Sequence, residues 1–196
     1  MSKFYISTAI DYPNAAPHMG HALEFTQADC LARFRRLKGD CVFFSTGTDE
    51  HGTKIVKTAK QENISPKDLV DRNLKYFLDL CSDLNIQYDG FYRTSDDLLK
   101  KGAQKMWTLF EKAGDIYKKS HSGLYCYGCE SFKLSKDLVD GKCENHDRAP
   151  EVLEEENYFF KLSKYKENIK QKLISNEIMI CPQFRKNEIN RYPFSS

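Results

Sequence analysis

The 196-residue sequence lacks any apolar run approaching the ~20 residues needed to cross a bilayer, so no membrane-embedded function is expected of it. Nor is a secretory leader expected. Met1-Ser2-Lys3-Phe4 carries one charge and passes straight into a strand pattern, and a cytoplasmic location is expected. Charge of one sign is not in excess, because 30 Lys and Arg stand against 28 Asp and Glu, and a net +2 makes no case for a polyanion-wrapping surface. A P-loop is missing too. Gly47 to Lys54 comes close, but Thr53-Lys54 reverses the order of lysine and hydroxyl that the pattern requires. Seven cysteines cannot all pair, and three of them cluster with a histidine, which suits a reducing compartment and one metal site better than a disulfide framework. What is present suffices for a core: 40% hydrophobic residues, with 13 Phe and 11 Tyr, support one sizeable domain or a domain with a small insert.

The chain is organised around residues 4–52. Phe4 to Ile10 is β-branched and aromatic and reads as a buried strand, while Ala22, Phe25, Ala28, Ala32 and Phe34 recur at helical spacing until Gly39. Cys41 to Thr46 reads as a second buried strand. Strand, helix, strand implies a parallel pair with a crossover, the start of a doubly wound nucleotide-binding sheet. Between the first strand and helix, Asp11, Pro13, Asn14 and Pro17 supply turn chemistry, and His18 and His21 fall where the helix begins. Unpaired N–H groups and the macrodipole make that end attractive to an anion, and imidazoles three apart could donate to phosphate oxygens. Gly20 leaves room for a ligand to approach the backbone. The same pair could equally cap the helix, or hold a metal.

Further along, Asp49 could pair with an α-ammonium group, or Asp49 and Glu50 could simply cap the next helix. Helices are expected at Thr53 to Gln61 and, after Ser65-Pro66, from Lys67 to about Leu84, with Leu69, Tyr76, Phe77, Leu80 and Leu84 as the inward stripe. A short strand over Phe91 to Thr94 precedes a helix running to Gly114. Composition changes at Ile116. Cys126-x2-Cys129 and Cys143-x2-His146, thirteen residues apart, form two knuckles able to close a tetrahedral zinc shell with no open position, hence a structural site, unless the thiols are simply buried. No basic reading helix follows, so no DNA partner is expected. Asn157 to Leu162 reads as a strand and Tyr165 to Ser175 as a helix.

Pro17-His18-Met19-Gly20-His21 resembles the HIGH signature of class I aminoacyl-tRNA synthetases, and the longer string from Tyr12 to His21 resembles its methionyl-tRNA synthetase form. Phe43 to Gly52 is similar to that family's second segment, and Cys126, Cys129, Cys143 and His146 resemble its single-zinc knuckle. Arg185, Asn187 and Glu188 are similar to a segment late in the insertion. The resemblance implies an α/β fold: the first half of a Rossmann-like class I catalytic domain over 1–115, then a zinc-knuckle connective insertion over 116–196, truncated at its C-terminal end. It implies adenylation of methionine by ATP with Mg2+, then transfer to tRNA(Met), in protein biosynthesis. His18 and His21 would be catalytic, and Pro17, His18, Gly20 and His21 would bind ATP. Ile10, Tyr12 and Asp49 would bind methionine. The sequence holds no KMSKS-like loop, so the 196 residues alone are expected to be inactive. The competing expectation is a non-catalytic synthetase-like module that binds a nucleotide or a protein.

Overall fold

The structure is a computed structural model that describes residues 1–129 and 131–186. Three parallel strands, β1 (Lys3–Ser7), β2 (Cys41–Thr48) and β3 (Gly90–Arg93), form a sheet in that order. Phe4 lies opposite Val42, and Thr46 opposite Phe91. The parallel order requires crossovers, supplied by α1 (Met19–Leu37) between the first two strands and by α2 (Thr53–Gln61) with α3 (Pro66–Asp83) between the second and third. Ser65 caps α3 by accepting the Asp68 N–H at 3.0 Å, and Pro66 takes the first helical position, where its missing N–H costs nothing.

Two apolar clusters bind α1 to the sheet and to α3. Ala28, Ala32 and Phe44 form one, and Phe25, Phe77 and Cys81 the other. A third, Ile55, Ala59, Leu69 and Val70, joins α2 to α3. The expected stripes need correcting at their edges. Phe34 is 54% exposed and Tyr76 48%, while Val70, Asn73 and Cys81 take the inward positions on α3. The first strand stops at Ser7, and its residues alternate between solvent and core. Among the described residues only one face of β1 is covered, and Tyr5 is 66% exposed.

The remainder comprises α4 (Asp97–Lys112), β4 (Ile116–Cys126), β5 (Ser131–Lys133), β6 (Leu138–Val139), β7 (Lys142–Cys143), β8 (Glu151–Phe160) and α5 (Lys166–Ile174). β5, β4 and β8 share a sheet in that order, and β6 and β7 form an antiparallel pair. The strand expected over Asn157 to Leu162 begins earlier, at Glu151, and Leu162 to Tyr165 is a 3₁₀ turn. Residue contacts group Met1–Gln104 with Tyr125–Glu151 in one compact unit, and Lys105–Leu124 with the residues from Val152 in another. The knuckle, Cys126 to His146, falls in the first of these units. In the second unit Asp115 is buried and receives Lys164 Nζ at 2.6 Å and the Tyr165 hydroxyl.

Asn187 and Glu188, part of the resemblance noted above, lie outside the described residues. Among those described, no helix is long and apolar enough to cross a membrane.

Candidate active site and metal centre

The segment after β1 is held from several sides. Thr8 N–H donates to the Ser45 carbonyl at 3.3 Å, Ala9 N–H to Glu24 Oε1 at 2.7 Å, and Asp11 N–H to the Gly47 carbonyl at 3.4 Å. The Asp11 carbonyl accepts from Asp49 N–H at 2.8 Å, and the Pro13 carbonyl accepts from the buried Asn73 Nδ2 at 2.9 Å. The loop is therefore fixed at the carboxyl ends of β1 and β2, where ligands of such sheets collect.

His18 is the N-cap of α1. Its Nδ1 accepts the Gly20 N–H at 3.1 Å, and His21 Nδ1 accepts the His18 N–H at 2.9 Å, so the pair closes a capping box made of imidazoles. The rings stack at 3.8 Å between centroids. Capping and ligand donation are thus not competing readings. In the neutral rings a cap that uses each Nδ1 as acceptor leaves the proton on each Nε2, which is the donor a phosphate needs. The room left by Gly20 has a different use from the one expected, since a Cβ there would lie 2.8 Å from His18 Cε1. The imidazole fills that space.

His21 Nε2 lies 3.5 Å from Asp11 Oδ1. Burial raises the Asp11 carboxyl above its ordinary range, against the pull of His21. Sequence reading gave Asp11 only turn chemistry.

Asp49 is half-buried, and its Oδ1 meets the His51 N–H at 3.4 Å. Neither it nor Glu50 caps α2, whose N-cap Gly52 has no side-chain bond. Glu50 is buried instead. Its Oε1 accepts from Arg93 Nε at 2.6 Å and from Thr48 Oγ1 at 2.9 Å, and its Oε2 accepts from the Ser95 hydroxyl. Arg93 also reaches Asp71, whose carboxyl falls below the usual range because Lys67 and then Arg93 donate to it. This network stiffens the loop that carries Asp49, and only the acid at 50 hinted at it.

Ile10 lines a cavity of about 370 Å³ with Tyr5, Thr8, Thr46 and Tyr92. Tyr12 does not line it. It packs against the Ile55 cluster, and Lys54 Nζ lies 5.5 Å from its ring centroid.

The knuckle residues do converge. Cys126, Cys129 and Cys143 Sγ and His146 Nδ1 lie within 4.8 Å of one another, a set able to hold a metal ion. Cys126 and Cys143 are buried. The N–H groups of Cys129 and Gly128, with the Cys143 thiol, draw the Cys126 thiol below its ordinary range. Gly128 is needed for closeness: a Cβ would fall 2.4 Å from His146 Cδ2.

A sequence model of the family described as "tRNA synthetases class I (M)" matches residues 4–145. The chain belongs to that family. Among proteins named methionine–tRNA ligase, that of Clostridium acetobutylicum is 44% identical over 187 residues, covering 95% of this chain and 29% of the relative. That of Rhizobium meliloti is 42% identical over 192 residues, covering 96% and 37%. The methionyl-tRNA synthetase of Mycobacterium tuberculosis, solved in complex with methionyl-adenylate, superposes with a TM-score of 0.90 at 38% identity, over 97% of this chain and 38% of that one. The chain thus spans about a third of the length of these class I synthetases. The first-half Rossmann-like fold expected of the family is the fold observed.

Proposed function

We propose that this chain provides the ATP- and methionine-binding half of a methionine–tRNA ligase. The observation that carries the proposal is the imidazole capping box, which leaves two Nε2–H donors at a helix start beside the Asp11–Asp49 junction. Relatives of that name, and a neighbour that holds methionyl-adenylate, support the reading.

In the reaction, a carboxylate oxygen of methionine attacks the α-phosphorus of ATP, and the bond to the bridging β-phosphate oxygen breaks. Pyrophosphate leaves with the developing negative charge. His18 and His21, already fixed by their own cap, meet that charge without reorganising. Pro17 and Gly20 shape the turn around the phosphates. Asp49 holds the methionine ammonium, with Ile10 toward its side chain from the sheet side and Tyr12 from the α2–α3 side. Mg2+ would neutralise phosphate charge in company with ATP. A ribose hydroxyl at the tRNA(Met) 3′ end then attacks the methionyl carbonyl and releases AMP, in the cytoplasm.

For the metal centre the proposed ion is zinc, one per chain. Sulfur at about 2.3 Å and nitrogen at about 2.0–2.1 Å from a tetrahedral ion need ligand–ligand edges of about 3.5–3.8 Å. Four of the six edges lie within about 0.1 Å of that range, at 3.4 Å from Cys129 Sγ to His146 Nδ1, 3.5 Å between Cys129 and Cys143 Sγ, and 3.8 and 3.9 Å from His146 Nδ1 to Cys143 and Cys126 Sγ, and all six lie within 4.8 Å. Four protein ligands leave no open position, which supports a structural role.

Calorimetric titration tests the reading. Methionine should bind the wild-type chain and bind at least ~10-fold more weakly after Asp49→Ala, the loss expected for one charge-assisted hydrogen bond. Equal heats from both proteins, or none from either, would overturn the assignment. The 196 residues taken alone carry no KMSKS-like loop to neutralise the triphosphate, and negligible pyrophosphate exchange is expected of them. In that case they act as a binding half.

A further inference from the structure

We propose that Asp11 is a positioning residue for His21: from 3.5 Å, longer than an N–H···O bond, its carboxylate attracts the ring's Nε2–H and so fixes the tilt and tautomer of an imidazole whose other nitrogen is committed to the helix cap, while leaving that proton to a phosphate.

Three observations carry this. His21 Nδ1 is consumed by the His18 N–H at 2.9 Å, so the neutral ring has its proton on Nε2. That Nε2 faces Asp11 Oδ1 at 3.5 Å, across side chains only 18% and 12% exposed, where a carboxylate acts on an imidazole with little screening. Asp11 is itself held in place. It bridges to Thr48 on β2, and its backbone bonds to Gly47 and Asp49 set the carboxylate's position from the sheet.

The remaining groups around the pair are accounted for. Phe77 of α3 presents its edge to His21 at 5.4 Å, closing the ring's apolar side. Glu24 on α1 and His18 act on Asp11 through space in opposite senses, and the Cys81 thiol of α3 lies within range of its charge. Asp11 Oδ2 is buried with no hydrogen-bond partner. By this arrangement Asp11 joins the segment bearing the histidines to the segment bearing Asp49 through both its backbone and its side chain. A geometry of a few ångströms at the phosphates is thereby tied to the methionine side of the site.

The inference rests on the proposed function only for its catalytic meaning, and its test is independent of catalysis. Long-range ¹H–¹⁵N correlation spectra of the ¹⁵N-histidine-labelled chain resolve the ring nitrogens of all five histidines. His21 should appear as the Nε2–H tautomer, with that proton exchanging at least ~10-fold more slowly than the ring proton of exposed His51, as about 1.4 kcal/mol of attraction to the carboxylate would give. Asp11→Ala should remove the protection, and Asp11→Asn, whose amide oxygen can still accept, should restore most of it. His146 and His121 should not change in either variant, which marks the fold as intact. A His21 signal unaltered by Asp11→Ala, or an Nδ1–H tautomer in the wild type, would overturn the proposal. Addition of ATP with Mg2+ separates the two claims. If His21 responds to Asp11 but no histidine responds to ATP, the positioning stands and the phosphate reading fails.

Discussion

Arg93 donates through Nε to Glu50 at 2.6 Å, and the Glu50 side chain has no exposed surface at all. A carboxylate so enclosed is tolerable only while its cation remains. Arg93→Met should therefore cost about 3–5 kcal/mol, the range for stranding a buried charge. Adding Glu50→Leu should recover much of the loss, because apolar pairs often replace buried ion pairs at little cost. Urea unfolding of the three proteins checks this. A double variant no more stable than Arg93→Met would show that the pair is not the unit of stability.

At Gly20, two effects of similar size oppose each other. Alanine should gain up to about 1 kcal/mol in helix propensity, while displacement of the His18 ring should lose about 1 kcal/mol of capping. Thermal stability of Gly20→Ala should change by less than about 1 kcal/mol. Affinity for ATP should nonetheless fall roughly tenfold, the effect of one misplaced donor to a charged group. Unchanged ATP affinity would remove His18 from the phosphate site.

The metal centre makes a parallel demand on Gly128. A methyl group 2.4 Å from the His146 ring must push Nδ1 off its tetrahedral corner, and metal affinity of Gly128→Ala should fall by about 10- to 100-fold in chelator competition. Stripping the metal from the wild type should weaken hydrogen-exchange protection of the amides between 126 and 146, because only short strands otherwise hold this segment. Retained protection after stripping would mean that the knuckle folds without an ion.

Asp115 supplies a dependence on pH. Hydrogen bonds from Lys164 and then Tyr165 hold its carboxyl below the ordinary range. A folded value below the unfolded one, about 3.9, means that the stabilisation is complete above that value and fades as pH falls through the folded one. The melting temperature of wild type should exceed that of Asp115→Asn by a constant margin from pH 7 to about pH 5. The margin should shrink below about pH 4. A margin that widened in acid would reverse the assignment.

Some of this was legible from residue order. Ser65-Pro66 marked a helix start to the residue, and Cys41 to Thr46 marked a strand, because caps and β-branched runs act within a few positions. Side-chain orientation was less legible. Phe34 and Tyr76 keep helical spacing yet face solvent, since which arc of a helix is covered depends on neighbours that periodicity does not specify. Tyr12 was placed with Ile10 by resemblance, but one side chain packs on α2 and α3 while the other lines a cavity beside the sheet.

By itself the sequence determined the parallel strand–helix–strand order, the place of the histidines at a helix start and the spacing of the four chelating residues, all effects of local stereochemistry. Only the tertiary structure decided which imidazole nitrogens remain free, that Asp11 faces His21, and that Glu50 is a buried partner of Arg93 instead of a cap. These depend on residues 10 and 43 positions apart meeting across a loop and a sheet. Such proximity comes from chain topology, on which short-range propensity is silent.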